Sequence, residues 1–363
     1  MSRASARSYA RLPLAAAAAL VLPLSLAGCG ALGVGGDDTA ADGAENVVAA
    51  FYPLQYATQR VVGDDVEVSN LVSPGGEPHD LELTPEQTGR VADADLVVYL
   101  HDFQPSVDAA VEQSGGDRGL DLTEFVDLQP YGEEGHEGHD HSEDEHTEEG
   151  HDHSEDEHAE EGHDHSEDEH TEESHDHSED DHSEDDHGHD HSGDDLHFWL
   201  DPLRLADAGD AIAERLAELD PDNAETYESN AAELRTDLEA VDAEFTEGLA
   251  SCARSTVVVN HDAFGYLSRY GLEFSSLTGI TPDAEPTPAV RAQLEDLVAD
   301  EGITTVFAES LVSPEDARSF AETTGVEVAT LDPIEGLTDQ TADEDYLSLM
   351  RANLTALQGA NGC

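Results

Sequence analysis

No lysine occurs anywhere in the 363 residues, and 14 arginines stand against 85 acidic side chains. Neutralising a phosphate backbone takes clustered Lys and Arg, so nucleic acid is excluded as a partner. Two hydrolase signatures are missing as well. The only His-Glu pair, His136-Glu137, has Asp140 where the second histidine of His-Glu-x-x-His would stand, and no Gly-x-Ser-x-Gly elbow appears. A metal-dependent hydrolase, which needs an open metal position beside a general base, therefore has no local motif to rest on. Cysteine is scarce, with only Cys29, Cys252 and Cys363.

Residues 1–29 have the order of an export signal: Arg3, Arg7 and Arg11 precede "LPLAAAAALVLPLSLAG", an apolar run too short to span a membrane convincingly. The run ends in "LAGC", which resembles the bacterial lipobox and makes Cys29 the candidate lipidation site. Residues 30–45 are small and unpatterned and read as a flexible tether. An extracytoplasmic protein, lipid-anchored to the cell membrane, is the expectation. With Cys29 lipidated, Cys252 and Cys363 remain as one pair in an oxidising compartment. A disulfide is the economical reading, and two free thiols the alternative.

Between Glu133 and Asp195 lie 16 of the 20 histidines and 31 acids, arranged on a 12-residue period that begins "GHDHSEDEHTEE". With no apolar periodicity, residues 133–195 cannot bury a core and read as a solvated, disordered loop. The repeated His-Asp-His pairs His139 and His141, His151 and His153, His163 and His165, His175 and His177, and His189 and His191 are candidate accessory metal sites. Without a packed scaffold, each binding event must order flexible chain, so these sites should be weak and exchangeable. Acidity is also a general habit of the chain, since 54 of the 85 acids lie outside the tract.

The rest alternates strand and helix patterns, which predicts parallel sheets covered by helices. Residues 46–132 predict an α/β lobe, with strands at "NVVAAF", "VEVSNLV" and "DLVVYL" and helices between them. Residues 196–221 hold "LHFWLDP" and one amphipathic helix, and 222–250 a second helix long enough to be a spine between lobes. Residues 251–363 repeat the alternation, with helices expected at "DAFGYLSRYG" and near 341–358. The predicted fold class is α/β, two lobes facing each other across a cleft.

His79 follows a strand in "PGGEPHDLELTP", His197 sits in "LHFWLDP", His261 closes the strand "VVVNH", and Asp332 closes "VATLD". Such strand ends face the crevice of an open α/β sheet. Three imidazoles and a carboxylate make a four-coordinate N/O shell suited to Zn²⁺ and tolerable for Mn²⁺ or Fe²⁺. Protonation below about pH 6 is expected to compete with the metal.

The segments "PGGEPHDLELTP", "HFWLDP", "NHDAFGYLSRYGL" and "LDP" resemble, in order, the ligand-bearing motifs of the zinc/manganese ABC-transporter solute-binding proteins, the ZnuA-like group. The resemblance runs from about Val47 to the C-terminus. It implies two Rossmann-like lobes joined by a long rigid helix, with metal ligands His79, His197 and His261 and Asp332 or water in the fourth position. A third histidine, where manganese-type members carry glutamate, points to zinc over manganese. The resemblance also implies a C-terminal-lobe disulfide, which Cys252 and Cys363 could supply. "YLHDFQPSVD" departs from the Gly-rich segment many members carry there, so His101 inherits no role, and Glu77 is assigned none. Trp199 is expected to pack under His197. The implied function is a monomeric, non-enzymatic receptor that captures Zn²⁺ and delivers it to an ABC permease. A manganese or iron receptor of the same family and an extracytoplasmic metal buffer acting through the His-rich loop are the alternatives.

Overall fold

Two four-stranded parallel sheets form the frame of the molecule. The computed structural model describes residues 44, 46–64, 66–114, 116–131, 193–282 and 284–363; Cys29, the tether apart from Ala44, and the tract histidines named above lie outside them. The first lobe runs β1 (Val47–Ala49), α1 (Tyr52–Val62), β2 (Val68–Asn70), α2 (Pro85–Asp93), β3 (Leu96–Tyr99), α3 (Pro105–Gln113) and β4 (Gly119–Asp121). Its sheet order is β2-β1-β3-β4, with Val47 opposite both Val68 and Leu96. β1 is buried along its whole length, as a central strand covered on both faces must be. α2 begins on a capping box: Thr84 accepts the Gln87 amide, Gln87 reaches back to the Thr84 amide, and Pro85 takes the first helical position.

A two-stranded antiparallel hairpin follows, β5 (Gln129–Pro130) with β6 (Asp194–Asp195). The Tyr131 amide donates to the Gly193 carbonyl at 2.9 Å, so residues 131 and 193 lie side by side at the end of this hairpin. Asp194 and Asp195, expected within the solvated loop, are instead strand residues, and Asp195 is buried. Sequence composition could not separate them from the acids before them; the pairing with Gln129 and Pro130 does.

Then come α4 (Pro202–Leu219) and the 26-residue α5 (Ala224–Leu249), about 39 Å long at 1.5 Å per residue. The second lobe runs β7 (Thr256–Val259), β8 (Glu273–Ser276), α6 (Pro288–Glu301), β9 (Thr305–Ala308), α7 (Glu315–Thr324), β10 (Glu327–Thr330) and α8 (Tyr346–Asn361), with sheet order β10-β9-β7-β8. The helix expected at "DAFGYLSRYG" is a 3-10 turn over Gly265–Tyr270.

α5 spans the two lobes. Asp237 pairs with Arg60 of α1 at 2.7 Å, and Glu244 takes both Nε and an Nη of Arg351 on α8, at 2.8 and 2.9 Å. One buried cluster joins α1, the Phe198–Leu200 turn, α4, α5 and α8, while a smaller one lies between β7, β9, α6 and α7. Gly209 makes the α4–α5 contact possible, because a Cβ there would come within 2.9 Å of Leu234. Asp201 caps α4 through the Leu203 amide and also takes Arg204 and Arg269, so the segment carrying His197 is tied to the second lobe. Cys252 and Cys363 form a disulfide that fastens the end of α8 just beyond the foot of α5.

Candidate metal centre

Three histidines far apart in sequence meet where the lobes face each other. His79 comes from the loop after β2, His197 from the turn ahead of α4, and His261 from the end of β7. Their ring centroids form a nearly equilateral triangle with sides of 5.6, 5.6 and 5.8 Å. The carboxylate that closes the group is Glu335, in the loop after β10. Its Oε1 lies 3.3 Å from the Nε2 of His79, 3.5 Å from that of His197 and 3.7 Å from that of His261. A tetrahedral ion with bonds of about 2.0–2.2 Å keeps its donor atoms about 3.3–3.6 Å apart, so these three separations are close to those of a four-coordinate shell, and all four ligand atoms lie within 4.8 Å of one another.

Each ring is held by a different device. The Nδ1–H of His197 donates to Asp195 at 2.8 Å, and that of His261 to Glu309 at 2.7 Å. An ionised carboxylate only accepts, so these contacts put the proton on Nδ1 and turn Nε2 inward. Among the described residues, the Nε2 atoms of His197 and His261 are buried without a hydrogen-bond partner. Gly265 makes room for the Asp195 carboxylate, since a Cβ there would lie 2.8 Å from its Oδ2. His79 rests against Phe103, with ring centroids 4.7 Å apart, and its amide donates to Glu77 at 3.0 Å. Its side chain is 17% exposed against 4% for His197 and 0% for His261, so it is the imidazole nearest solvent. Trp199 is buried against His197, 5.2 Å between centroids.

The electrostatics follow from enclosing several carboxylates. Burial alone would lower the pKa of His197, but the hydrogen bond to Asp195 and the neighbouring Glu335 outweigh it and raise it to about 9. Burial also pulls His261 down, and Glu309 and Glu335 together lift it to about 10. Burial pushes Glu335 up, yet the three imidazoles win and hold it well below the usual carboxylate range. Burial and the charge of Glu335 raise Glu77. Proton competition at this centre thus begins well above the pH 6 expected for free imidazoles.

Asp332 is not the fourth member of the group. Its Oδ2 accepts the Ser310 hydroxyl at 2.7 Å and its Oδ1 the Ile334 amide at 2.8 Å. Burial, followed by the charges of Glu335 and Glu309, raises its pKa. Pro333 and a left-handed Ile334, φ 60°, turn the chain so that the residue three positions on faces the imidazoles. The signal that could have found Glu335 was slight: a lone charge in the otherwise apolar stretch "PIEGL" of the same strand-end loop. Asp195 and Glu309 were missed because nothing local marks them. His101 stands apart, 3.6 Å from each of Asp102 and Asp108, in an exposed group of its own.

Comparison with known proteins places this geometry. Residues 47–360 match the family described as ZnuA, zinc-uptake complex component A, periplasmic. The zinc-binding lipoprotein AdcA of Streptococcus pneumoniae (strain ATCC BAA-334 / TIGR4) is 32% identical over 325 residues, covering 88% of this chain and 56% of its own. The chain thus spans about half the length of the AdcA relatives it matches. The high-affinity zinc uptake system protein ZnuA of Bacillus subtilis is 29% identical over 341 residues, covering 92% of this chain and 93% of its own. The crystal structure of the Zn(II)-bound ZnuA-like domain of S. pneumoniae AdcA superposes with a TM-score of 0.64 at 27% identity, covering 88% of this chain and all of that domain.

Proposed function

This chain belongs to the ZnuA family, and from that premise we propose that it captures Zn²⁺ outside the cytoplasmic membrane and delivers it to an ABC-transporter permease. One observation carries the reading: three imidazole Nε2 atoms lie 3.3–3.7 Å from one carboxylate oxygen, two of them buried and, among the described residues, without a hydrogen-bond partner. His79, His197, His261 and Glu335 are the proposed ligands. An imidazole-rich shell favours zinc over manganese, which prefers oxygen donors. The ion is cargo and not a resident cofactor, and a monomer held to the membrane by lipid at Cys29 is the proposed working form.

Delivery requires release. α5 packs on both lobes through its ion pairs, which limits hinge closure between them, so release follows movement of a ligand-bearing loop on docking to the permease. The loop carrying His79 is bridged to the second lobe by the Gly75 amide on the Leu337 carbonyl at 2.7 Å, a contact that opening must break. The His-rich tract between Tyr131 and Gly193 is proposed to gather ions through weak, exchangeable sites and not to be the delivery site. Support for its working beside the centre comes from its re-entry strand, whose Asp195 orients His197.

The reading is tested on single variants of the full chain. His79→Ala, His197→Ala, His261→Ala and Glu335→Gln are each expected to weaken tight Zn²⁺ binding by at least about 100-fold, because each leaves the shell incomplete. A His261→Ala protein that binds as tightly as the parent sinks the assignment.

A further inference from the structure

Ile334 is a β-branched residue, fully buried, with φ 60°. Left-handed backbone is ordinarily left to glycine or asparagine, and for a β-branched side chain it is a genuine outlier that persists only when its surroundings enforce it. Here the enforcement can be named bond by bond. Asn353 on α8 takes the Asp332 amide at 2.9 Å and donates to the Asp332 carbonyl at 2.7 Å. The indole N–H of Trp199 donates to the Pro333 carbonyl at 2.7 Å. The Asp332 carboxylate, itself fixed by Ser310, accepts the Ile334 amide. The next residue is Glu335, whose side chain is 1% exposed and whose Oε1 faces all three imidazoles.

We propose that Asp332 is a positioning residue for the metal centre: by taking the Ile334 amide, it holds that residue in left-handed backbone and thereby turns Glu335 onto the three histidines. The inference rests on the zinc-site reading above and adds to it a role for the carboxylate that does not touch the ion. Pro333 contributes by fixing its own φ and by keeping Asp332 out of helical backbone, so the turn has few other ways to run. Asn353 and Trp199 come from α8 and from the turn beside His197, so the same clamp ties Glu335 to two further elements around the site.

A double-mutant cycle in the full chain tests this. Zn²⁺ affinity is read by competition with a chromophoric chelator, and residual competition in His197→Ala is subtracted as that of the tract. Asp332→Ala is expected to weaken tight Zn²⁺ binding about 10–100-fold, the usual cost of losing a residue that orients a ligand. Asp332→Asn keeps the acceptor and is expected to lose about threefold or less. Glycine adopts left-handed backbone without strain, so in an Ile334→Gly background the cost of Asp332→Ala should shrink to about threefold or less. Ile334→Gly empties a buried side chain and lowers Tm in both members of that pair, so melting temperature does not enter the comparison. Co²⁺ loading gives a second readout: the visible spectrum of Asp332→Asn should match that of the parent, and that of Glu335→Gln should not. Loss in Asp332→Asn as large as in Asp332→Ala overturns the proposal, as does an Asp332→Ala cost that is equal in the two backgrounds. Should His197→Ala bind Zn²⁺ as well as the parent, the site reading itself is wrong and the positioning role falls with it.

Discussion

Loading Zn²⁺ at pH 7.5 should expel about two protons from the protein. His197 and His261 have pKa values raised to about 9 and about 10 by the carboxylates around them. At pH 7.5 such groups are about 97% and more than 99% protonated, whereas three imidazoles at the ordinary 6.5 would together hold about 0.3 proton. Zn²⁺ needs both Nε2 lone pairs, so both protons must leave. Were both values a full unit lower, the release would still be about 1.7. Calorimetric titrations in two buffers of different ionisation enthalpy measure the number directly. The affinity should rise by about two decades per pH unit near pH 7.5, by about one between pH 9 and 10, and level off above. The sign for stability is opposite. Both folded-state values lie above the unfolded one, so the stabilisation is complete below about pH 6.5 and is lost as pH rises through 9 and 10. Metal-free protein should melt lower at pH 10 than at pH 7, and Zn²⁺ should protect it more at the higher pH. A release of fewer than about 0.5 protons at pH 7.5 would refute the account of the charges around the centre.

The bond between Cys252 and Cys363 closes a separation of 111 residues, for which chain entropy allows at most about 4–5 kcal/mol. Urea unfolding of the double serine variant should show a loss of that order, and a loss below about 1 kcal/mol argues against the entropic account. Deleting residues 133–192 should leave the fold intact, because the Tyr131 amide and the Gly193 carbonyl already meet at 2.9 Å. One tight Zn²⁺ should survive while several weaker equivalents vanish; losing the tight site in a variant that circular dichroism shows folded would make the tract the site. Trp199 is the only tryptophan and lies 5.2 Å from His197, so tight loading should change its emission. The change should disappear in His197→Ala, and an emission that never responds to bound Zn²⁺ contradicts the placement of the centre.

Much of this protein is legible in its primary structure because the signals are local. Apolar runs such as Val47–Ala49 and Thr256–Val259 become buried parallel strands, and Thr84 with Pro85 starts a helix by its own hydrogen bonds. His79, His197 and His261 fall where strands and turns end, and a parallel sheet brings those ends to one edge. Tertiary structure alone decided the rest. Glu309 reaches His261 across 48 residues, and Glu335 reaches His79 across 256, so no spacing rule links them. Asp195 is indistinguishable in composition from the acids before it until β6 pairs with β5 and delivers it to His197. The choice between Asp332 and Glu335 turned on one backbone angle, the left-handed φ of Ile334, which local preference disfavours and which occurs in a turn where Asp332, itself held by Ser310 and Asn353, accepts the Ile334 amide and Trp199 donates to the Pro333 carbonyl. Propensity and periodicity act over a few residues. The charge set around an ion is assembled from segments that meet only once both lobes have packed against α5.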